Sequence, residues 1–161
     1  MRLLASVILL AVLAPRAYAD MAPLQAVRTD RPVVVDGLLD EEVWKNDLVF
    51  SSFTQQDPDQ GVAPRQRTEV RLSFDDDALY VGARMFDSAP DSVVARLSRR
   101  DNDAASDAFA LMLDPFHDKR TGYYFVVSAA GTLMDGVLMN DGWDDSSWDG
   151  VWQARAHRDA Q

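Results

Sequence analysis

The clearest pattern in this chain is a two-residue alternation. Across 68–74, Val70, Leu72 and Phe74 fall on one face and Glu69, Arg71 and Ser73 on the other. Asp75-Asp76-Asp77-Ala78 reads as a turn, after which Leu79, Val81, Ala83 and Met85 resume the alternation. A period of two belongs to a half-buried strand, so 68–85 predicts a β-hairpin. Phe109, Leu111 and Leu113 alternate again through 107–114. A polar turn at 114–122 leads to an apolar run, 123–129, rich in the aromatic and β-branched residues that suit a pleated surface. Ala130-Gly131 turns the chain, and 132–140 returns as a strand. Shorter strands are expected at 33–35, stopped by Asp36-Gly37, at 48–54 and at 151–157.

Helical signals are few. Asp40 is placed to cap one or two turns over 41–46, with acids at the end the helix dipole favours and Val43 and Trp44 turned inward. Pro90 opens a short helix predicted over 90–98, apolar at Val93, Val94 and Leu97. About eight strands without a strand–helix–strand rhythm argue against a parallel α/β design. The expected fold class is all-β, an antiparallel β-sandwich of jelly-roll type.

The ends bound the domain. Arg2 precedes an uncharged run, 3–14, and Ala17-Tyr18-Ala19 fits a small-x-small cleavage site. That run is short for a bilayer span of roughly 20 residues. Residues 1–19 therefore read as a secretory signal peptide, 20–30 as a linker and 31–161 as the sandwich. At the other end, 151–157 looks like a strand still in progress. Two readings are open there: a last strand at the terminus, or a fold short of its final strands.

Charge removes some functions. The 161 residues carry 16 Lys+Arg against 26 Asp+Glu. Arg2 and Arg16 lie in the signal peptide, so the exported part has 14 basic residues against the same 26 acids, a balance of −12. Such an excess disfavours nucleic acid, whose phosphates need a basic surface, and anionic lipid. Only Glu41, Glu42 and Glu69 are glutamates, so the other 23 acids are Asp. Aspartate favours turns, because its short carboxylate bonds nearby backbone N–H groups. With no cysteine, the exported fold must stand on its core.

Catalytic signatures are missing: there is no G-x-S-x-G, no H-E-x-x-H and no cysteine nucleophile. His117 and His157 are the only histidines. A glycosidase needs two flanking carboxyls, and none of the many Asp is singled out by spacing. Asp101, Asp103 and Asp107 could cradle calcium, since hard cations take carboxylate oxygens. A solvated acidic turn is the competing reading of those three residues, as it is of 75–77 and 141–149. The 141–149 stretch sets Trp143 and Trp148 among four Asp. Indole faces stack on sugar C–H faces, while Asp, Asn and Arg fix hydroxyls. For both tryptophans, stacking and packing into the core remain open. Trp44 and Trp152 look like core residues.

The chain also resembles a known family, the family 9 carbohydrate-binding module (DOMON-like). The match is to the variant at the N-terminus of exported bacterial proteins whose C-terminal part looks like an outer-membrane β-barrel. The resemblance rests first on Val35-Asp36-Gly37, Asp40-Glu41 and Trp44, then on the run 76–84, DDALYVGAR. It continues through Arg99-Arg100-Asp101, Leu113-Asp114, Asp118, Arg120-Thr121-Gly122-Tyr123 and Phe125. It ends with Asp135-Gly136, Ser147-Trp148-Asp149 and Val151-Trp152, so it covers about 31–152. The resemblance implies a jelly-roll sandwich, bound Ca2+ in some members, and glycan held between tryptophans. It implies Trp143 or Trp148 as a stacking ring, with Arg99, Arg100 and Asp101 as polar contacts, to which the acidic loop itself adds Asp145 as a candidate ligand contact. It also implies further strands and a barrel beyond residue 161, placing the protein in the periplasm or outer membrane of a Gram-negative bacterium.

The expected function is therefore a non-catalytic glycan-binding domain. The alternatives are a structural or plug domain of an outer-membrane barrel, or part of a glycoside hydrolase.

Overall fold

A computed structural model of the chain describes residues 24–102, 104–139 and 142–159. The signal peptide read in 1–19, and Asp103 of the calcium trio, lie outside the described residues. Among the described residues seven strands form: β1 (Ala26–Arg28), β2 (Thr68–Phe74), β3 (Leu79–Met85), β4 (Ala108–Leu113), β5 (Thr121–Ser128), β6 (Leu133–Met139) and β7 (Trp143–Asp145). They make a three-stranded sheet, β1-β2-β3, and a four-stranded sheet, β4-β5-β6-β7. Only the β1–β2 pairing is parallel. The fold is the all-β, two-sheet sandwich that the alternation implies.

The hairpin read at 68–85 forms with the expected bounds. Val70 pairs with Ala83, Leu72 with Val81 and Phe74 with Leu79, so the apolar set shares one face. Across the hairpin's other face, Trp44 roofs Gly82. A Cβ there would stand 2.9 Å from Leu39 Cδ2 and 3.1 Å from the Trp44 ring, so glycine lets the indole lie close on the strand. Trp44 and Val70 are the only buried hydrophobic side chains among the described residues. Trp44 rides on a 3₁₀ turn, Glu42–Lys45, whose N-cap is Glu41 rather than the expected Asp40. Glu69 is buried on that same hairpin face, where Arg67 and Arg71 both pair with its carboxylate. Arg67 and Arg84 also lie over the Phe86 ring, at 4.7 and 5.3 Å from its centre.

Several short elements differ from expectation, each for a local reason. The stretch 20–30, read as a linker, carries β1, held on β2 by Ser73 Oγ donating to Val27 O (2.9 Å) and by the Arg28–Asp76 ion pair. Three residues are too few for a periodicity to show. No strand forms at 33–35; the Val34 N–H donates to Glu41 Oε1 instead (2.9 Å). The strand expected at 48–54 shrinks to one bridge, Phe50 with Val70. The helix expected at 90–98 shrinks to the 3₁₀ turn Pro90–Ser92. Beyond it the Val94 and Arg96 N–H groups donate to Asp107 Oδ2 and Ser106 Oγ, so this segment lies beside the start of β4. The strand expected at 151–157 makes no ladder. Conversely, Trp143–Asp145, read as loop, is the edge strand β7, paired with β6 at Val137, Leu138 and Met139.

Candidate functional site

The four-stranded sheet builds the site. Antiparallel register puts Leu111 and Asp135 on either side of Phe125, and Val137 beside Tyr123, all on one sheet face. Trp148 packs on that face, its ring 4.8 Å from Tyr123 and 6.1 Å from Phe125. Trp152 also meets Phe125 in a T-shaped contact at 5.2 Å. Aromatic pairs prefer such tilted and T-shaped geometry, in which a positive ring edge meets a negative face.

Asp135 stands among these rings, 1% exposed. A buried carboxylate is costly unless it is paired and hydrogen-bonded. Here Oδ1 accepts from Arg100 Nη2 and Oδ2 from the Gly150 N–H, each at 2.5 Å. Arg100 also reaches Asp149 Oδ1 (2.6 Å), Asp101 Oδ2 (3.6 Å) and the Gly150 carbonyl (3.3 Å). Asp101 Oδ1 accepts the Asp135 N–H at 3.3 Å, and the Asp101 N–H donates to Leu133 O. Segment 98–101 is thereby fixed along the part of β6 that β7 does not cover. The chain departs at Gly150, where a Cβ would fall 2.8 Å from the Trp148 ring and 3.2 Å from Asp135 Oδ2.

The residues singled out from sequence thus separate into groups. Arg100 and Asp101 belong to this cluster, together with Trp148, which packs rather than projects. Trp143 is 72% exposed on the edge strand. Arg99 is exposed, with its side chain unpaired among the described residues. The Asp145 carboxylate is held below the usual carboxylate range by the Ser147 hydroxyl and then the Ser147 N–H, so it caps its own turn. Asp101 and Asp107 are not brought to one point. Asp101 faces Arg100 and the Asp135 N–H, while Asp107 Oδ2 takes the Val94 N–H at 2.9 Å. No three His, Cys, Asp or Glu side chains gather as a cation cage among the described residues. Asp103, the third residue of the calcium reading, lies outside the described residues, and a cation at Asp101 would share its carboxylate with the Arg100 guanidinium.

Asp135, Gly150, Tyr123 and Phe125 were not among the residues picked from sequence as site groups. The available signal was a lone carboxylate inside an apolar strand, Leu133-Met134-Asp135-Gly136-Val137, which demands a buried partner. On the opposite sheet face, burial first and then nearby Asp144 push the Tyr124 phenol up.

No protein-family model matches the chain, and no curated protein or solved structure does.

Proposed function

We propose that this chain is a non-catalytic carbohydrate-recognition domain of an exported bacterial protein, with Trp143 as its stacking ring. The exposed indole of Trp143 on the edge strand carries the reading. Its flat apolar face is open to water and of the kind that stacks on the C–H face of a sugar ring. It sits beside the exposed carboxylates of Asp144 and Asp145, acceptors suited to sugar hydroxyls. Arg99 is exposed and free to contribute a donor. Trp148 is less suited to stacking, because one side of its ring already rests on Tyr123.

The absence of chemistry in the reading has its own support. Asp75, Asp118 and Asp145 are each occupied in capping their own turns, and Asp135 is closed off by Arg100 and Gly150. Calcium would have to draw on Asp103 and on acids other than the pairings described. The resemblance to family 9 carbohydrate-binding modules favours glycan over other flat ligands, and the signal-peptide pattern favours the periplasm or outer membrane.

The test is tryptophan emission of the folded chain titrated with mono- and oligosaccharides, with and without calcium. A saturable change that disappears in Trp143→Ala and persists in Trp148→Phe supports the proposal. A folded protein that gives no response favours the second reading, an interaction domain docking on an outer-membrane barrel. One observation favours that alternative: Leu97, Met112, Phe116 and Val151 are all strongly exposed apolar side chains.

A further inference from the structure

We propose that Arg100, Asp135 and Gly150 form a latch that seats the 148–152 segment on the sheet, so that Arg100 and Asp135 are positioning residues rather than ligand contacts. Three observations converge on it. First, Asp135 is almost wholly buried, and both of its oxygens are engaged, one by Arg100 and one by the Gly150 N–H. Neither oxygen is left to face an incoming hydroxyl. Second, the guanidinium grips the same segment twice more, through the Asp149 carboxylate and the Gly150 carbonyl. Arg suits this role because its planar fork offers several donors in fixed directions. Third, the tether point lies between two aromatic anchors. Trp148 on one side of Gly150 packs on Tyr123, and Trp152 on the other side packs on Phe125.

The consequence is a division of labour. Ring burial supplies attraction without direction, whereas the carboxylate and the fork fix where the chain crosses the sheet. The anchoring segment comes from two distant places in sequence, 100–101 and 149–150, and both converge on the centre of β6. Without the latch, Trp148 and Trp152 keep an apolar surface to rest on but lose the fixed backbone between them.

The four tryptophans provide the test, because Trp44 reports on the other sheet. The full chain is labelled with 5-fluorotryptophan, and its four fluorine resonances are assigned by single Trp→Phe substitutions. In Asp135→Asn, which keeps the shape and removes the charge, the Trp148 and Trp152 resonances should shift toward the position of solvent-exposed indole and broaden. The Trp44 resonance should stay in place. Gly150→Ala should move the same two resonances, and Arg100→Lys, which keeps the charge without the fork, should move them less than Arg100→Gln. The latch is overturned if Trp148 and Trp152 do not respond in any of these variants. It is equally overturned if Arg100→Gln and Gly150→Ala move all four resonances together, since the cluster would then support the fold as a whole. Sugar titration plays no part in the readout, so the outcome is separate from the fate of the glycan proposal.

Discussion

Two aspartate-rich turns in this molecule solve the same problem in opposite ways. The turn between β2 and β3 is closed from within. Asp75 Oδ1 accepts the Asp77 and Ala78 N–H groups at 2.9 and 2.8 Å, and Oδ2 accepts the Tyr80 hydroxyl at 2.8 Å. Every hydrogen-bond partner of Asp75 lies within five residues; the exposed Asp76 reaches outside the turn, to Arg28. The acidic stretch after β6 is closed from outside: Asp145 caps only its own Ser147, and the segment is held by Arg100 and Asp135, at 50 and 15 residues from Gly150. A local carboxylate costs little to order and can be replaced locally. A remote one sits in the core and takes its whole surroundings with it when removed.

The largest effect that would test this contrast is expected at Asp135. Asp135→Ala leaves Arg100 short of its buried partner and the Gly150 N–H without an acceptor. Loss of one member of such a pair should cost about 3 kcal/mol, read from the denaturant midpoint. Asp75→Ala, by contrast, removes two exposed hydrogen bonds and one part-buried bond from Tyr80, with no buried ion pair, and should cost clearly less. Equal losses at the two sites would erase the distinction.

Gly150→Ala comes next. Its Cβ would meet the Trp148 ring at 2.8 Å, and overpacking of this kind costs about 1–3 kcal/mol. The same substitution at Gly131 meets no atom within 4 Å, so any loss there reflects its positive φ of 83° alone.

The pH dependence sharpens the local side of the comparison. The Asp77 and Ala78 N–H groups and the Tyr80 hydroxyl hold the Asp75 carboxyl below the usual range, and the bond to Asp75 pushes the Tyr80 phenol up. A lowered aspartate contributes stability that is full above its unfolded value of about 3.9 and is lost as pH falls through the folded value. A raised tyrosine contributes below about pH 10 and loses that contribution as pH rises through its folded value. Asp118, held low by the Thr121 and Arg120 N–H groups, adds to the acid limb. Asp75→Asn should therefore flatten both limbs of a stability–pH curve, each only in part, because Asp118 and Asp145 remain on the acid side and Tyr124 on the alkaline side. An unchanged curve would sink this account of the turn.

Trp143→Ala should have the smallest effect on stability, within about 0.5 kcal/mol, because its ring packs little. Its expected loss is in the sugar response alone, and a large drop in melting temperature would show that the indole supports the edge strand.

The same contrast explains what could be read from sequence. The β2–β3 hairpin was legible because its alternation, turn residues and apolar face are all local and agree with one another. β4, β5 and β6 were legible for the same reason. β1 and β7, at three residues each, are specified by the strands they join, Ser73 and Asp76 for one and Val137 to Met139 for the other. Segments 33–35 and 48–54 carry strand-forming residues, but their backbone groups find side-chain partners or a single bridge. At the site, the tryptophans were visible by composition, yet nothing local distinguished exposed Trp143 from packed Trp148. That difference depends on Tyr123 and Phe125 arriving from β5. Asp135 looked like one aspartate among 23, and its role appears only when Arg100 and Gly150 are brought beside it.

The absence of a ladder along 151–159 has a consequence for the clock of amide exchange. Trp152 and Ala154 turn inward, yet no backbone hydrogen bond joins this stretch to any described residue. Deuterium should therefore enter at 151–159 almost as fast as in an open chain, while the Gly150 amide immediately before it, bound to Asp135, exchanges slowly. An exchange map of this protein would carry a step at Gly150, separating an amide held by a hydrogen bond from a segment held by side-chain contacts, the Arg84–Asp159 ion pair among them.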